Sequence, residues 1–323
     1  MKPFHCLFAW FVAALFSVSA AAQGPGPQTR AAQPATVMVA TGDIDSTEAR
    51  IVSELARALG DGSGLRIIPI VGQGSVQNVS DLLSLRNADA AVIQYDVLSQ
   101  FRRSQRIPLI QNKLQYIAKL YSQEVHVLAR MQFSCLADLN GRTVNFGPKG
   151  SGAALTAENI FNAHGVGPQP TYLDHSEALR KLKSGEIDAA VFVGGKPAPL
   201  FREAKYTDKL HFLDVEFIDA LQEDYLPGIV TNDDYPDLVA RDEIVSTVSV
   251  ASVLVMAGHR SQSEQYRRMA IFAERFLGSL ERFKARDFHE KWQEVNVLAP
   301  MSGWTRFPAA QAWLDANARR AAA

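Results

Sequence analysis

Between residues 36 and 94, short runs of aliphatic and β-branched residues alternate with stretches of helical period, and the same alternation starts afresh between 142 and 213. The first series predicts strands over 36–41, 65–71 and 90–94, with helices over 47–59 and 76–86. Within 47–59, Ile51, Val52, Leu55, Ala56 and Leu59 share one face, while Glu48, Arg50, Glu54 and Arg57 take the remaining positions. The second series predicts strands over 142–146, 171–173, 187–193 and 210–213, and helices over 153–163, 176–183 and 198–204. A strand–helix–strand order makes consecutive strands parallel and covers the sheet with helices. The expected architecture is therefore α/β with two lobes, each a mostly parallel sheet flanked by helices, and 323 residues suffice for two cores.

Two extended segments, 115–121 and 125–130, lie between the series without a helix and are suited to a hinge. A Val- and Ser-rich strand over 244–256, followed by helical sequence over 261–296, reads as the chain crossing back to the first lobe. A separate C-terminal helical unit would leave that strand without sheet partners. The expected division is 36–122 for the first part of lobe 1, 123–225 for lobe 2, and 226–323 for the return to lobe 1 with C-terminal helices.

Ahead of the first strand, Lys2 precedes an apolar run over 4–18, and Ala20, Ala21 and Ala22 stand before Gln23. That order is a secretory signal peptide over 1–22, followed by a leader over 23–35 that has no apolar period. The run is shorter than the ~20 residues of a spanning helix. The segment 245–257 is interrupted by Ser246, Thr247, Ser249 and Ser252, so no direct membrane insertion is expected. Export to the periplasm and a monomeric mature chain are. Of the two cysteines, Cys6 falls in the signal segment and only Cys135 remains, so no intramolecular disulfide forms. With no histidine or carboxylate placed to activate it, that thiol reads as a small packed hydrophobe. The net charge of −1, with Lys and Arg scattered, argues against nucleic acid as a partner.

In parallel α/β sheets, ligands sit at the carboxyl ends of strands. Four glycine-bearing turns fall there: Thr41-Gly42-Asp43, 72–75 with Gly74 and Ser75, 147–152 with Gly150, Ser151 and Gly152 leading to Ala153, and Gly194-Gly195 before Lys196. Helix N-termini carry unsatisfied N–H donors and partial positive charge, so these turns favour a carboxylate or phosphate oxygen, although Ser75 and Ser151 equally suit helix capping. Gln94 and Asp96 end the third strand, where Asp96 could accept an ammonium group or cap a helix. Tyr121, Phe146 and Phe192 lie at or near strand ends, where each could wall a pocket but is more often core, Tyr121 at the proposed hinge being the strongest of the three. The 147–152 turn lacks the Gly-Lys-Ser/Thr ending of a P-loop, and the 72–77 turn is no dinucleotide fingerprint because Gln77 stands at its last position. No catalytic residue, metal site or cofactor is expected: the histidines lack ligand spacing, and Glu223, Asp224, Asp233 and Asp234 around Tyr225 read as a solvated loop.

The segments 144–158 (VNFGPKGSGAALTAE) and 185–199 (GEIDAAVFVGGKPAP), supported by 74–78 (GSVQN), 88–96 (ADAAVIQYD) and 124–130 (EVHVLAR), resemble the TAXI family of solute-binding proteins from TRAP-type transport systems. The resemblance runs from about residue 37 to the mid-250s. It implies a type II periplasmic-binding-protein fold with a ligand cleft between the lobes, and handover of a small carboxylate or amino acid, such as a glutamate-like ligand, to an ion-driven permease. The expected function is periplasmic capture of a small anionic solute for that permease, without catalysis. The alternatives are a ligand-sensing subunit for a membrane receptor, or an enzyme on the same bilobal fold. One departure stands out: where the family has glycines followed by tyrosines after the first strand, this chain has Thr41-Gly42-Asp43-Ile44-Asp45-Ser46-Thr47-Glu48-Ala49. One wall of the cleft is therefore changed.

Overall fold

Ten strands form one curled sheet in the computed structural model, which describes residues 35–60, 64–84, 88–203 and 209–322. The signal segment and all but the last residue of the leader lie outside the described residues. Strands β1 (Ala35–Ala40), β2 (Leu65–Ile70) and β3 (Ala90–Gln94) pair in parallel at one end in the order β2-β1-β3. Helices α1 (Thr47–Leu59) and α2 (Ser75–Ser84) make the crossovers, and α3 (Tyr95–Ser104) and the short α4 (Ile110–Lys113) follow. At the other end β5 (Thr143–Asn145), β6 (Gln169–Thr171) and β7 (Ala189–Gly194) pair in parallel, linked by α5 (Gly152–Ala163) and α6 (His175–Ser184). The fold is thus the α/β class expected from the alternation, with the parallel pairing confined to the two ends.

The centre is antiparallel. The segments expected at 115–121 and 125–130 are one continuous 17-residue strand, β4 (Leu114–Arg130), because nothing between them breaks an extended chain. β4 pairs with β7 and with β8 (Leu210–Phe212), and also with the 14-residue β10 (Ile244–Ala257). β10 in turn pairs with β3, so the two parallel ends belong to a single sheet. β9 (Leu226–Thr231) pairs with β10 off the main path. Its sequence holds Pro227 and Gly228, which weaken a strand pattern and are tolerated at a sheet edge.

Four apolar cores flank the sheet. Around the first end, α1 contributes Ile51, Val52, Leu55, Ala58 and Leu59 to a core shared with Leu254 and Met256 of β10. That core also takes Met269, Phe272 and Phe276 of α7 (Glu264–Gly278) and Ala310 and Leu314 of α9 (Pro308–Ala322). Earlier along β10, Val248 and Val250 pack instead with Val127, Ile160 and Phe161. Val230, Tyr235, Leu238 and Val245 pack with Leu128, Leu179 and Phe192. The segment 226–245, assigned from sequence to the return into the first lobe, therefore packs on the second end, and β10 changes cores near its middle.

Two helical expectations also change. The span 198–204 is a 3-10 turn, Pro199–Glu203, as far as the described residues reach, since Pro197 and Pro199 deny it regular helical hydrogen bonding. The span 261–296 is divided into α7, the short α8 (Leu280–Phe283) and a 3-10 turn Glu290–Glu294, the first break falling at Gly278 and Ser279. Cys135 is exposed rather than packed. Among the described residues, no helix is long and apolar enough to cross a membrane.

Candidate functional site

The carboxyl ends of β1, β2, β3, β5 and β7 deliver their turns to one place, where the two ends of the sheet meet. The N-termini of α2 and α5 come together there. Gln77 N–H donates to the Gly150 carbonyl at 3.1 Å, and a Cβ added to Gly74 would lie 3.5 Å from the Ser151 Cα. Gly74 (φ +113°) and Gly150 (φ +81°) adopt backbone conformations that L side chains rarely take, which is why these two turns need glycine. The Ser151 hydroxyl caps α5 by accepting the Ala154 N–H at 3.0 Å, and the Ser75 hydroxyl accepts the Gln94 N–H at 3.0 Å. Both hydroxyls are thus engaged internally, and the donors the two helices offer are the first-turn N–H groups other than those of Gln77 and Ala154, which are already bonded to Gly150 and Ser151.

Beside this meeting point runs a buried chain of polar side chains. The Gln94 side-chain oxygen rests against Gly152, and its amide nitrogen donates to Gln123 Oε1 at 3.4 Å. Gln123 Nε2 donates to Glu48 Oε1 at 2.8 Å and to Ser252 Oγ at 2.6 Å. Glu48 stands in the first turn of α1 with its carboxylate near Gly42. Burial raises its pKa above the usual carboxylate range, against the hydrogen bonds from its own backbone N–H and Gln123. Tyr121 is buried in the same region, its hydroxyl facing Ser252. Burial, together with the nearby Glu48 carboxylate, pushes that phenol well up.

A second buried group ties the C-terminal part of the chain to the crossing strand. Lys291 Nζ lies 2.6 Å from Glu124 Oε1 and 2.6 Å from Glu294 Oε1, and Glu124 Oε2 accepts the Lys196 N–H at 3.2 Å. Across the same boundary, Gly195 N–H donates to Thr47 Oγ1 at 3.0 Å. An added Cβ on Gly195 would fall 2.8 Å from Lys291 Cγ and 2.9 Å from Thr47 Cγ2. The Gly194-Gly195 turn thus receives the start of α1.

Residues 49–274 match the model of the NMT1-like family. The chain belongs to the NMT1-like family. Among solved structures it is similar to the periplasmic binding protein BugD, at 13% identity over 88% of this chain and 94% of that one, with a TM-score of 0.54. A protein from Bordetella bronchiseptica RB50 matches at 12% identity, 88% and 81% coverage and a TM-score of 0.53. One from Xanthomonas citri, solved with a bound chloride ion, matches at 9% identity, 88% and 98% coverage and a TM-score of 0.50. These likenesses make the fold type II periplasmic-binding-protein-like.

Within this NMT1-like chain, Thr41, Gly42, Gly74, Ser75, Gln94, Gly150, Ser151, Gly152, Gly194 and Gly195 all lie in the converging turns. Asp43 accepts the Asp45 N–H at 3.1 Å and shapes the β1–α1 turn. Tyr121 lies beside the polar chain, and Ala153 is buried in a core with Phe146 and Phe161. Phe192 packs against His126, His175 and Phe201 in an aromatic cluster. Asp96 is enclosed and already accepts from Thr156 Oγ1 at 2.6 Å, Tyr225 Oη at 2.7 Å and Val97 N at 2.8 Å, so it joins α3 to α5. Burial pushes its carboxyl up to about 6. His126 is buried against Tyr235 Oη at 2.9 Å, and burial lowers its pKa to about 3, which keeps the ring neutral.

The acidic loop is not simply solvated. Asp224 pairs with Arg103 at 2.6 Å and Asp234 with Lys196 at 2.8 Å. Among the described residues, no group of three or more His, Cys, Asp or Glu could hold a metal ion. Sequence reasoning missed Glu48, Gln123, Ser252 and Lys291. Glu48 and Gln123 sit on elements it had identified, but their pairing spans 75 positions and leaves no local pattern.

Proposed function

We propose that this NMT1-like chain is a periplasmic solute-binding protein of the TAXI kind. It captures a small anionic metabolite, an amino acid or carboxylate, between two lobes and passes it to a TRAP-type permease without chemical turnover. The observation that carries the reading is the meeting of the α2 and α5 N-termini, one from each end of the sheet, with Gln77 N–H and Gly150 O in direct contact. Two converging helix ends place donors and partial positive charge around one anion-sized position. The lobe boundary falls in the middle of β4 and β10, the two strands that cross between the ends.

Closure follows from the same geometry. A ligand held by first-turn N–H groups of both helices makes contacts that only the closed arrangement offers, so binding stabilises that state beyond the Gln77–Gly150 and Gly195–Thr47 bonds already present. The test is thermal melting of the purified protein against amino acids, dicarboxylates, keto acids and phosphates. A ligand at a hundredfold excess over its dissociation constant adds about 2.7 kcal/mol, a rise of roughly 4 to 8 °C. A rise with an anionic solute that is recovered unchanged is the expected result. A shift by cationic or neutral solutes alone would overturn the anion reading.

A further inference from the structure

Glu48 is a buried carboxylate in the first turn of α1, beside the converging turns, and among the described residues no Lys, Arg or His forms an ion pair with it. The charged group acting on it is another acid, Asp43, which opposes its ionisation. Its direct side-chain partners are neutral, the Gln123 amide and the Ser46 hydroxyl. The cations that do enter this region are already committed, Lys291 to Glu124 and Glu294, and Lys196 to Asp234. A buried carboxylate without a counter-cation is costly, and a cationic ligand group arriving beside it removes that cost.

The polar chain leading from Glu48 also has a direction. At the Glu48 end, an amide N–H2 group of Gln123 presents donors to the carboxylate. At the other end, the Gln94 side-chain oxygen rests against Gly152 at the start of α5. The chain therefore runs from an acidic group at Glu48 to the N-terminus of α5, and a ligand lying along it would set an ammonium by the first and a carboxylate by the second.

From this geometry we infer that Glu48 is the specificity-determining residue of the cleft, pairing with a protonated amine on a ligand whose carboxylate lies at the α2 and α5 N-termini. The inference rests on the binding reading above and narrows it: simple dicarboxylates and keto acids are disfavoured because their second group is an oxygen acceptor facing Glu48.

The experiment is calorimetric titration of the purified protein and of Glu48→Gln with matched pairs: glutamate and glutarate, aspartate and succinate, alanine and propionate, leucine and 4-methylpentanoate, with butylamine as the amine alone. The expected result is that an amino acid binds the wild type at least about tenfold more tightly than its des-amino partner, and that Glu48→Gln removes most of that preference. Because Gln123 can still donate to the new amide oxygen, Glu48→Gln is expected to keep its fold, checked by circular dichroism. The wild-type preference is decisive even if the variant fails to fold. A des-amino acid that binds the wild type as well as its amino partner overturns the inference and leaves the anion-binding reading standing. Butylamine binding while no carboxylate binds overturns the anion reading and keeps the role of Glu48. If no member of any pair and no amine binds, both fall.

Discussion

Replacing Gly152 with alanine is, on local grounds alone, a stabilising change. Gly152 is the first residue of α5 and its φ is not in the left-handed region, so alanine there would add about 0.4–1 kcal/mol by restricting the unfolded chain. The tertiary structure reverses the sign. The new Cβ would sit on the Gln94 side-chain oxygen, 2.5 Å from Gln94 Cδ and 3.1 Å from Ser75 Cβ. Forcing these groups apart costs about 1–3 kcal/mol, and swinging Gln94 away also gives up its bond to Gln123, worth about 1 kcal/mol. The net expectation for Gly152→Ala is a loss of about 1–3 kcal/mol, a melting temperature lower by roughly 2 to 9 °C, read by circular dichroism and urea denaturation. Gln94→Ala removes the obstructing atoms, so the double variant should be more stable than the sum of the single effects by at least about 1 kcal/mol. Gly152→Ala at or above wild-type stability, or strict additivity with Gln94→Ala, would refute the close approach of α5 to β3.

Two further outcomes test the buried charges. Burial pushes the Asp96 carboxyl from 3.8 up to about 6, so the folded state holds a proton that the unfolded state releases. Its contribution is fully present below about pH 4 and is lost as pH rises through about 6, roughly 3 kcal/mol in all, and Asp96→Asn should flatten that part of the stability profile measured by urea denaturation. An unchanged slope between pH 4 and 6 in the variant would count against the enclosure of Asp96. Lys291→Met strips the buried Glu124 of its counter-cation and should cost about 3–5 kcal/mol, with Lys291→Met/Glu124→Gln regaining most of it. A loss below about 1 kcal/mol for Lys291→Met would show that the pair does not hold the crossing strand.

Much of the secondary structure was legible because it depends on local pattern. Helix α1 begins and ends where its apolar period places it, and β3 spans the residues expected. The converging turns were legible for a related reason, since glycine and serine at strand ends report backbone conformation and capping. β9 was hidden by Pro227 and Gly228, whose tolerance depends on an edge position that no local window reveals. Asp96 was readable as a polar group at a strand end, yet its enclosure by Thr156 and Tyr225 depends on partners 60 and 129 positions away.

The residue order by itself determined the alternation of strands and helices, the α/β class, and which turns would stand at the carboxyl ends of strands. These are consequences of side-chain periodicity and backbone preference within a few residues. The tertiary structure alone decided that the two parallel halves share one sheet through β4 and β10. It also decided that Glu48, Gln123 and Gln94 form a single buried chain, and that Lys291 reaches Glu124. Those outcomes depend on burial and on partners far apart in sequence, because the cost of an unpaired buried polar group is set by what surrounds it in space.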